Sequence, residues 1–297
     1  MKKNEIPVQR LLIPEKVVKA GKLLERISPF LATRFAARLF LTPFKYKRPK
    51  REHKMFENSE KQLLYISKIK RKVQVYRYGP KTAGKKALLV HGWSGTGTQL
   101  SKIADALIDK GYSITSFDAP AHGNSPGTIS MMPFFIETIH QLQKEFGEFS
   151  VAVGHSLGGM SLLKACAEGL KLKKLVIIGT ADSITEITNN FAKNMQLKHH
   201  TGVRMKKYFD KKFGQDLNFY SGAVSAQKVL TPTLIIHDKN DVDVFVKDAA
   251  SIHSALKSSE LFITENLGHR KILGDTAVIN KIVNFITVKQ ALPADSA

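Results

Sequence analysis

Short apolar runs and amphipathic stretches alternate along the chain from about residue 62 onward. Runs of five to seven mostly apolar residues predict strands at 63–68, 72–78, 86–90, 113–118, 150–154, 174–179, 232–237 and 260–264. Helical spacing between them predicts helices at 97–110, 130–146, 157–169, 245–256 and 275–288. Strands that alternate with helices in this way indicate an α/β protein whose mostly parallel sheet is covered by helices on both faces.

The alternation stops once, between Asp182 and Lys228, where a long and mostly helical, polar segment precedes the next strand. An insertion of this length is typical of a lid or cap. We therefore predict four parts: a basic helical N-terminal extension at 1–61, a first core part at 62–182, a helical cap insertion at 183–230 and a second core part at 231–290.

The N-terminal extension has apolar residues at helical spacing over residues 15–41. Ser28 and Pro29 fit an N-cap followed by proline in the first helical position, so two consecutive helices are predicted. Their apolar stripe is expected to pack on the main domain, to form a dimer contact or to lie in a membrane interface. Residues 45–54 predict an exposed basic connector.

The chain carries a formal net charge of +21, and residues 1–54 hold 15 Lys or Arg against 4 Glu, which is +11 of that total. This asymmetry predicts attraction to an anionic partner such as a membrane surface, with a solvated basic face as the alternative. No nucleic-acid partner is expected, because interleaved aromatic residues and a known binding module are both missing from the sequence.

The composition excludes further classes of protein. The chain has one cysteine, Cys166, which excludes an internal disulfide framework and is expected to be a buried thiol. Prolines interrupt the N-terminus where a signal peptide would need an apolar run, and no apolar window reaches the length of a membrane span. We expect a cytoplasmic protein, with peripheral membrane association as a further option.

A candidate nucleophile stands in the segment Gly154-His155-Ser156-Leu157-Gly158, which follows a short apolar strand and precedes a helix. G-x-S-x-G in this context predicts a nucleophile elbow, in which Ser156 sits at the tip of a strained turn. Side chains at positions 154 and 158 would collide with neighbouring backbone, hence the glycines.

A candidate base and acid follow later in the chain. His269 comes directly after the last strand and is predicted to take the proton of the serine hydroxyl. Asp241, at the end of the preceding strand, is the predicted acid that orients this histidine, with Asp243 as the reserve and Asp238 less favoured. The backbone N–H groups of Trp93 and Leu157 are the predicted oxyanion hole.

The segments His91-Gly92-Trp93, Asp118-Ala-Pro-Ala-His-Gly-Asn-Ser125, Gly154-His-Ser-Leu-Gly158, His237-Asp-Lys-Asn-Asp241 and Gly268-His269 together resemble the α/β-hydrolase superfamily, over residues 70–288 and closest to its serine esterase and serine aminopeptidase-like members. Two positions depart from the family pattern, Ala121 and Asp238, where many relatives have glycine. The resemblance implies an α/β-hydrolase fold and Ser-His-Asp chemistry without cofactor or metal.

Two functions are consistent with these observations. The first is a serine hydrolase that acts on a small carboxylic ester or related acyl substrate through an acyl-enzyme intermediate. The second is a peripheral membrane or scaffold protein that uses the hydrolase fold as a binding module. The adjacent His199 and His200 lack a spaced carboxylate or cysteine, so no metal site is expected there. The oligomeric state does not follow from the sequence.

Overall fold

The computed structural model describes residues 6–288, apart from the side chains of residues 8 and 9. One sheet contains the eight strands β1 (Glu60–Ile66), β2 (Arg71–Tyr78), β3 (Lys85–Val90), β4 (Tyr112–Asp118), β5 (Val151–His155), β6 (Lys174–Ile178), β7 (Thr233–Asp238) and β8 (Ser259–Thr264). Each strand begins and ends within three residues of its predicted bounds.

The strands are ordered β1-β2-β4-β3-β5-β6-β7-β8 across the sheet. The β1–β2 and β2–β4 pairs are antiparallel, and every other neighbouring pair is parallel. The prediction of a mostly parallel sheet is therefore confirmed.

The helices fill the connections and the N-terminal segment. They are α1 (Val8–Leu12), α2 (Glu15–Ile27), α3 (Pro29–Phe40), α4 (His53–Asn58), α5 (Ser101–Ile108), α6 (Met132–Phe146), α7 (Leu157–Ala167), α8 (Ile184–Asn194), α9 (His199–Phe213), α10 (Gly222–Ala226), α11 (Val246–Ala255), α12 (Gly268–Lys271) and α13 (Thr276–Thr287).

Apolar cores cover both faces of the sheet. Alternate residues of a strand point to opposite faces, so Leu88 and Val90 join one core while Leu89 joins the other. Helices α6, α7 and α11 pack on the first core, and α5 and α13 pack on the second. The prediction of helices on both faces is confirmed.

The predicted helix at 97–110 is too long, because α5 begins only at Ser101. The preceding residues are held in a loop by side chains from elsewhere in the chain. The Gly97 N–H donates to Asp118 Oδ1 at 2.6 Å, and the Thr98 hydroxyl donates to Glu52 Oε2 at 2.9 Å. Tertiary hydrogen bonds outweigh local helix propensity here.

The N-terminal helices break where the sequence predicts it. The Leu31 N–H donates to Ser28 Oγ at 3.4 Å, and Pro29 occupies the first position of α3. The helices α8, α9 and α10 of the long insertion lie between β6 and β7. A third apolar core joins the two regions, with members from both: Val18, Ala36, Ala37, Leu41, Phe191, Met195, Met205 and Phe209. The N-terminal stripe therefore packs mainly on the insertion.

The expectation of an exposed connector at 45–54 is wrong for Glu52. Lys45, Tyr46 and Lys47 are exposed, but Glu52 is completely buried. Its Oε2 accepts hydrogen bonds from the hydroxyls of Thr96 and Thr98, at 2.7 and 2.9 Å, which offset the cost of burying the carboxylate.

Some predicted features lie outside the described residues, namely residues 1–5 of the N-terminal extension and residues 289–290 of the second core part. The four-part division of the chain stays a prediction. Across residues 6–288, the helices are all too short or too polar to cross a bilayer.

Packing between α3 and α9 predicts the effect of enlarging Ala36, which is completely buried. We expect Ala36→Leu to lower the free energy of unfolding by about 1–3 kcal/mol, because the extra atoms have no space. The matched variant Ala20→Leu, at an exposed position of α2, should change it by less than about 0.5 kcal/mol. Urea unfolding followed by fluorescence of Trp93 measures both, and equal effects would contradict this packing.

Candidate active site

Ser156 lies at the sharp turn between β5 and α7. Its backbone has φ 52° and ψ −119°, a conformation that costs free energy in a residue other than glycine. The Ser156 N–H donates to the carbonyl of Ile178 in β6 at 2.8 Å, which ties the turn to the sheet. The predicted turn is present, with Ser156 at its tip.

The two flanking glycines are required by close backbone packing, as the sequence predicts. A Cβ atom at position 154 would lie 2.7 Å from the carbonyl carbon of Gly158, and a Cβ atom at position 158 would collide with the carbonyl oxygen of Val90. No side chain fits at either position without displacing backbone, so the turn is specified by its glycines.

His269 and Asp241 form a direct pair. Their Nδ1 and Oδ2 atoms are 2.7 Å apart, and because the carboxylate can only accept, Nδ1–H donates. Asp241 is buried, and its other oxygen accepts the N–H groups of Asp243 and Val244, both at 2.9 Å. This bonding leaves Nε2 of His269 as the ring nitrogen available for proton transfer.

The environment of His269 has opposing effects on its pKa. Burial disfavours the charged ring and lowers the pKa, whereas the hydrogen bond to Asp241 and the negative charges of Asp241 and Asp243 raise it. The attraction outweighs burial, so the pKa lies above the ordinary value of 6.5. Such a ring is a stronger base than a histidine in water.

The two alternative acids, Asp243 and Asp238, lie elsewhere around the site. Asp243 lines the cavity, and the carboxylate that contacts His269 is that of Asp241. Asp238 is completely buried at the end of β7. It accepts hydrogen bonds from the Asn240 N–H at 3.0 Å, the Thr264 hydroxyl at 2.8 Å and the Leu267 N–H at 3.0 Å. Asp238 therefore holds together the two loops that carry Asp241 and His269.

His155, the residue directly before Ser156, also supports the site. His155 is buried with its ring centroid 4.6 Å from that of His269, and its Nε2 bonds the His269 carbonyl at 3.0 Å. Burial and the nearby His269 keep the pKa of His155 well below its ordinary value, so the ring is neutral. Its position directly before the serine was the only signal in the sequence.

The predicted oxyanion residues Trp93 and Leu157 line the same cavity as Ser156 and His269. Leu157 is the first residue of α7, where an N–H has no partner within the helix. The Trp93 ring is stacked on Phe40 of α3 at 6.5 Å and meets His122 edge-on at 5.2 Å. The loop that carries Trp93 is thus in contact with the N-terminal segment.

The cavity above Ser156 has a volume of about 470 Å³. Three regions of the chain form its walls: the N-terminal segment, the insertion and the core. Most of the lining is apolar, and the apolar side chains include Leu12, Phe40, Leu41, Phe44, Met131, Met160, Ile184, Ile187, Phe209, Phe213 and Leu217. Polar side chains line it too, among them Glu186, Asn190, Asn194, Asp243, Asp248 and Arg270.

No metal site accompanies this cavity in the described part of the chain, where no group of three or more His, Cys, Asp or Glu residues is arranged to hold an ion. Cys166 is a half-buried thiol. Loss of water around its sulfur on burial raises its pKa to about 12, so it is not a nucleophile at neutral pH.

A family model described as the alpha/beta hydrolase fold matches residues 88–198. No curated protein matches the chain in sequence.

Among solved structures, an esterase from Exiguobacterium antarcticum is 17% identical with a TM-score of 0.58, and the match covers 74% of this chain and 97% of the esterase. A monoacylglycerol lipase from Paleococcus ferrophilus is 16% identical with a TM-score of 0.57, and the match covers 72% of this chain and 98% of the lipase. A proline iminopeptidase from Mycobacterium smegmatis is 14% identical with a TM-score of 0.57, and the match covers 77% of this chain and 97% of the peptidase. At these identities the likeness concerns the fold.

The contact between His269 and Asp241 predicts the behaviour of the histidine on titration. In Asp241→Asn, we expect the pKa of His269 to fall below 6.5, because burial is then opposed only by the weaker effect of the Asp243 charge. Asp243→Asn should lower it by a smaller amount. NMR titration of the imidazole, with His269→Gln used for assignment, measures both shifts. A larger fall in Asp243→Asn would make Asp243 the partner acid.

Proposed function

We propose that this chain, which has the α/β-hydrolase fold, is a serine hydrolase that cleaves carboxylic esters or related acyl substrates. The observation that carries the proposal is the arrangement at one cavity: Ser156 stands on a strained turn, and His269, bonded to the buried Asp241, lines the same space. A structural serine would need neither the strained turn nor a paired histidine.

In the proposed reaction, the hydroxyl oxygen of Ser156 attacks the acyl carbon while Nε2 of His269 takes the hydroxyl proton. The imidazolium then gives this proton to the leaving alcohol, and an acyl-enzyme remains. A water molecule that His269 deprotonates hydrolyses the acyl-enzyme and restores Ser156. Asp241 holds the ring through Nδ1–H and stabilises the positive charge that forms on it at each step.

Negative charge develops on the substrate oxygen in both tetrahedral intermediates. We assign its stabilisation to the backbone N–H groups of Trp93 and Leu157, which belong to the loop after β3 and to the start of α7. One such donor contributes about 3–4 kcal/mol to transition-state stabilisation. None of these steps calls for a cofactor.

The substrate class is inferred from the cavity walls. Apolar side chains from the N-terminal segment and the insertion surround the space next to Ser156, which suits the hydrocarbon chain of an acyl group. The esterase and the monoacylglycerol lipase with the same fold act on esters by their names, which agrees with this choice, whereas the proline iminopeptidase of the same fold shows that the fold alone does not decide the substrate. The alternative function, a binding module with the hydrolase fold, does not require an activated serine.

Labelling with a fluorophosphonate probe tests the nucleophile without knowledge of the substrate. We expect the probe to modify Ser156, identified by mass spectrometry, and to label neither Ser156→Ala nor His269→Ala. Ester hydrolysis should fall at least about a thousandfold in both variants. Ser254→Ala, at an exposed position on α11, is the matched control and should be labelled normally. A folded protein that stays unlabelled would favour the binding module.

The apolar cavity predicts a dependence on acyl chain length. Along a series of nitrophenyl esters from acetate to decanoate, kcat/KM should rise by up to about fourfold for each added CH₂ until the cavity is filled, since burial of a CH₂ contributes about 0.8 kcal/mol. Ile187→Phe, which enlarges a wall residue, should move the optimum to shorter chains. A flat profile in both proteins would contradict an acyl-binding role for this space.

A further inference from the structure

Within residues 6–288, an apolar surface at the turn between α2 and α3 is exposed. Its four members are large and exposed, at 57% for Leu23, 67% for Ile27, 63% for Phe30 and 45% for Leu31. Leu23 and Ile27 are one helical turn apart on α2, and Phe30 and Leu31 are the second and third residues of α3. These four residues are called the hairpin tip below. Scattered exposed apolar residues are ordinary, but a contiguous group indicates a contact surface.

Basic side chains surround the hairpin tip. Lys19, Lys22 and Arg26 are exposed on α2, and Arg34 and Arg38 are exposed on α3. The Arg34 guanidinium lies 5.5 Å from the centre of the Phe30 ring, at the edge of the tip. The surface is therefore an apolar centre with a cationic border.

The two acidic residues of α2 leave this border positive. Glu15 pairs with Lys19 at 2.8 Å. Glu25 is turned toward the insertion, where its carboxylate accepts the Lys198 N–H at 3.0 Å and the Thr201 hydroxyl. Neither carboxylate neutralises the arginines next to the tip.

We propose that the hairpin tip docks on an anionic phospholipid bilayer. Its apolar side chains enter the interface between headgroups and acyl chains, and the surrounding lysines and arginines bind the phosphates. A bilayer offers an apolar layer directly beneath a layer of negative charge, which matches this arrangement. A nucleic acid offers the charge without an apolar layer for Leu23, Ile27 and Phe30, and is the less suitable partner.

The same N-terminal segment also forms part of the cavity wall, through Leu12, Phe40, Leu41 and Phe44. Leu12 is exposed as well, so the segment contacts both the solvent surface and the space above Ser156. Phe40 lies ten residues after Phe30 on α3, about 15 Å along the helix, so docking would bring the cavity close to the membrane, and its action on lipid esters there rests on the proposed hydrolase function. The docking itself does not depend on catalysis.

Vesicle flotation with the chain of residues 1–297 tests the docking. The probes are vesicles of equal parts phosphatidylcholine and phosphatidylglycerol, and vesicles of phosphatidylcholine alone. We expect the protein to float with the first at least about tenfold more than with the second, because each Lys or Arg near an anionic surface adds about fivefold to partitioning. Ile27→Ser with Phe30→Ser, and separately Arg26→Gln with Arg34→Gln, should each weaken flotation about tenfold or more.

The matched control variants change residues elsewhere on the surface. Leu63→Ser with Leu230→Ser changes exposed apolar residues outside the tip, and Lys171→Gln with Lys257→Gln removes two exposed charges. Both should float like the unchanged protein. All variants should retain hydrolysis of a soluble butyrate ester and their thermal unfolding midpoint, which shows that they are folded.

The outcomes separate the alternatives. Equal flotation of the tip variant and the unchanged protein overturns the docking, as does equal loss in the controls. A dimer in analytical ultracentrifugation that the tip variant converts to a monomer, without vesicle binding, assigns the tip to a second copy of the chain. If the protein retards duplex DNA in gel electrophoresis and does not bind vesicles, the basic border is a nucleic-acid contact instead. Flotation of a folded protein whose Ser156 is not labelled by the fluorophosphonate probe leaves the docking intact and refutes the proposed function.

Discussion

Buried carboxylates that accept backbone N–H groups hold the loops at the carboxyl edge of the sheet. Asp118, at the end of β4, accepts the N–H groups of Gly97 and Asn124 and the Tyr76 hydroxyl. Asp238, at the end of β7, does the same for the loops that carry Asp241 and His269. Hydrogen bonds to a charged acceptor are stronger than neutral ones, and these bonds fix the positions of the loops.

Local sequence was sufficient to predict the sheet, its flanking helices and the break at Ser28, because these features follow from periodicity and cap chemistry over short windows. The same holds for the turn at Ser156, where glycine spacing carries the geometry. The pairing of Asp241 with His269 was predicted from the order of Ser156, Asp241 and His269 along the chain and from the resemblance to the α/β-hydrolase superfamily. The choice against Asp243 depends on loop conformation, which needs the structure.

Other features depend on contacts between residues far apart in sequence. Glu52 stands among lysines and arginines, so charge patterning indicates solvent, and only the hydroxyls of Thr96 and Thr98 explain its burial. The start of α5 at Ser101 has the same cause. Nothing in the apolar stripe of α3 distinguishes the insertion from the sheet as its packing partner. Many of the residues that line the cavity lie outside the chemical motifs, so substrate preference can change while Ser156, Asp241 and His269 stay the same.

Packing of α3 on α9 also bears on how the chain is synthesised. Ala36 leaves the ribosome long before Met205, its partner in the shared apolar core. At about 5–20 residues per second, the interval lasts roughly 10–30 s. For that time the residues of the insertion that cover the apolar face of α3 have not been made, so this face is open to a chaperone or a membrane surface until synthesis reaches α9.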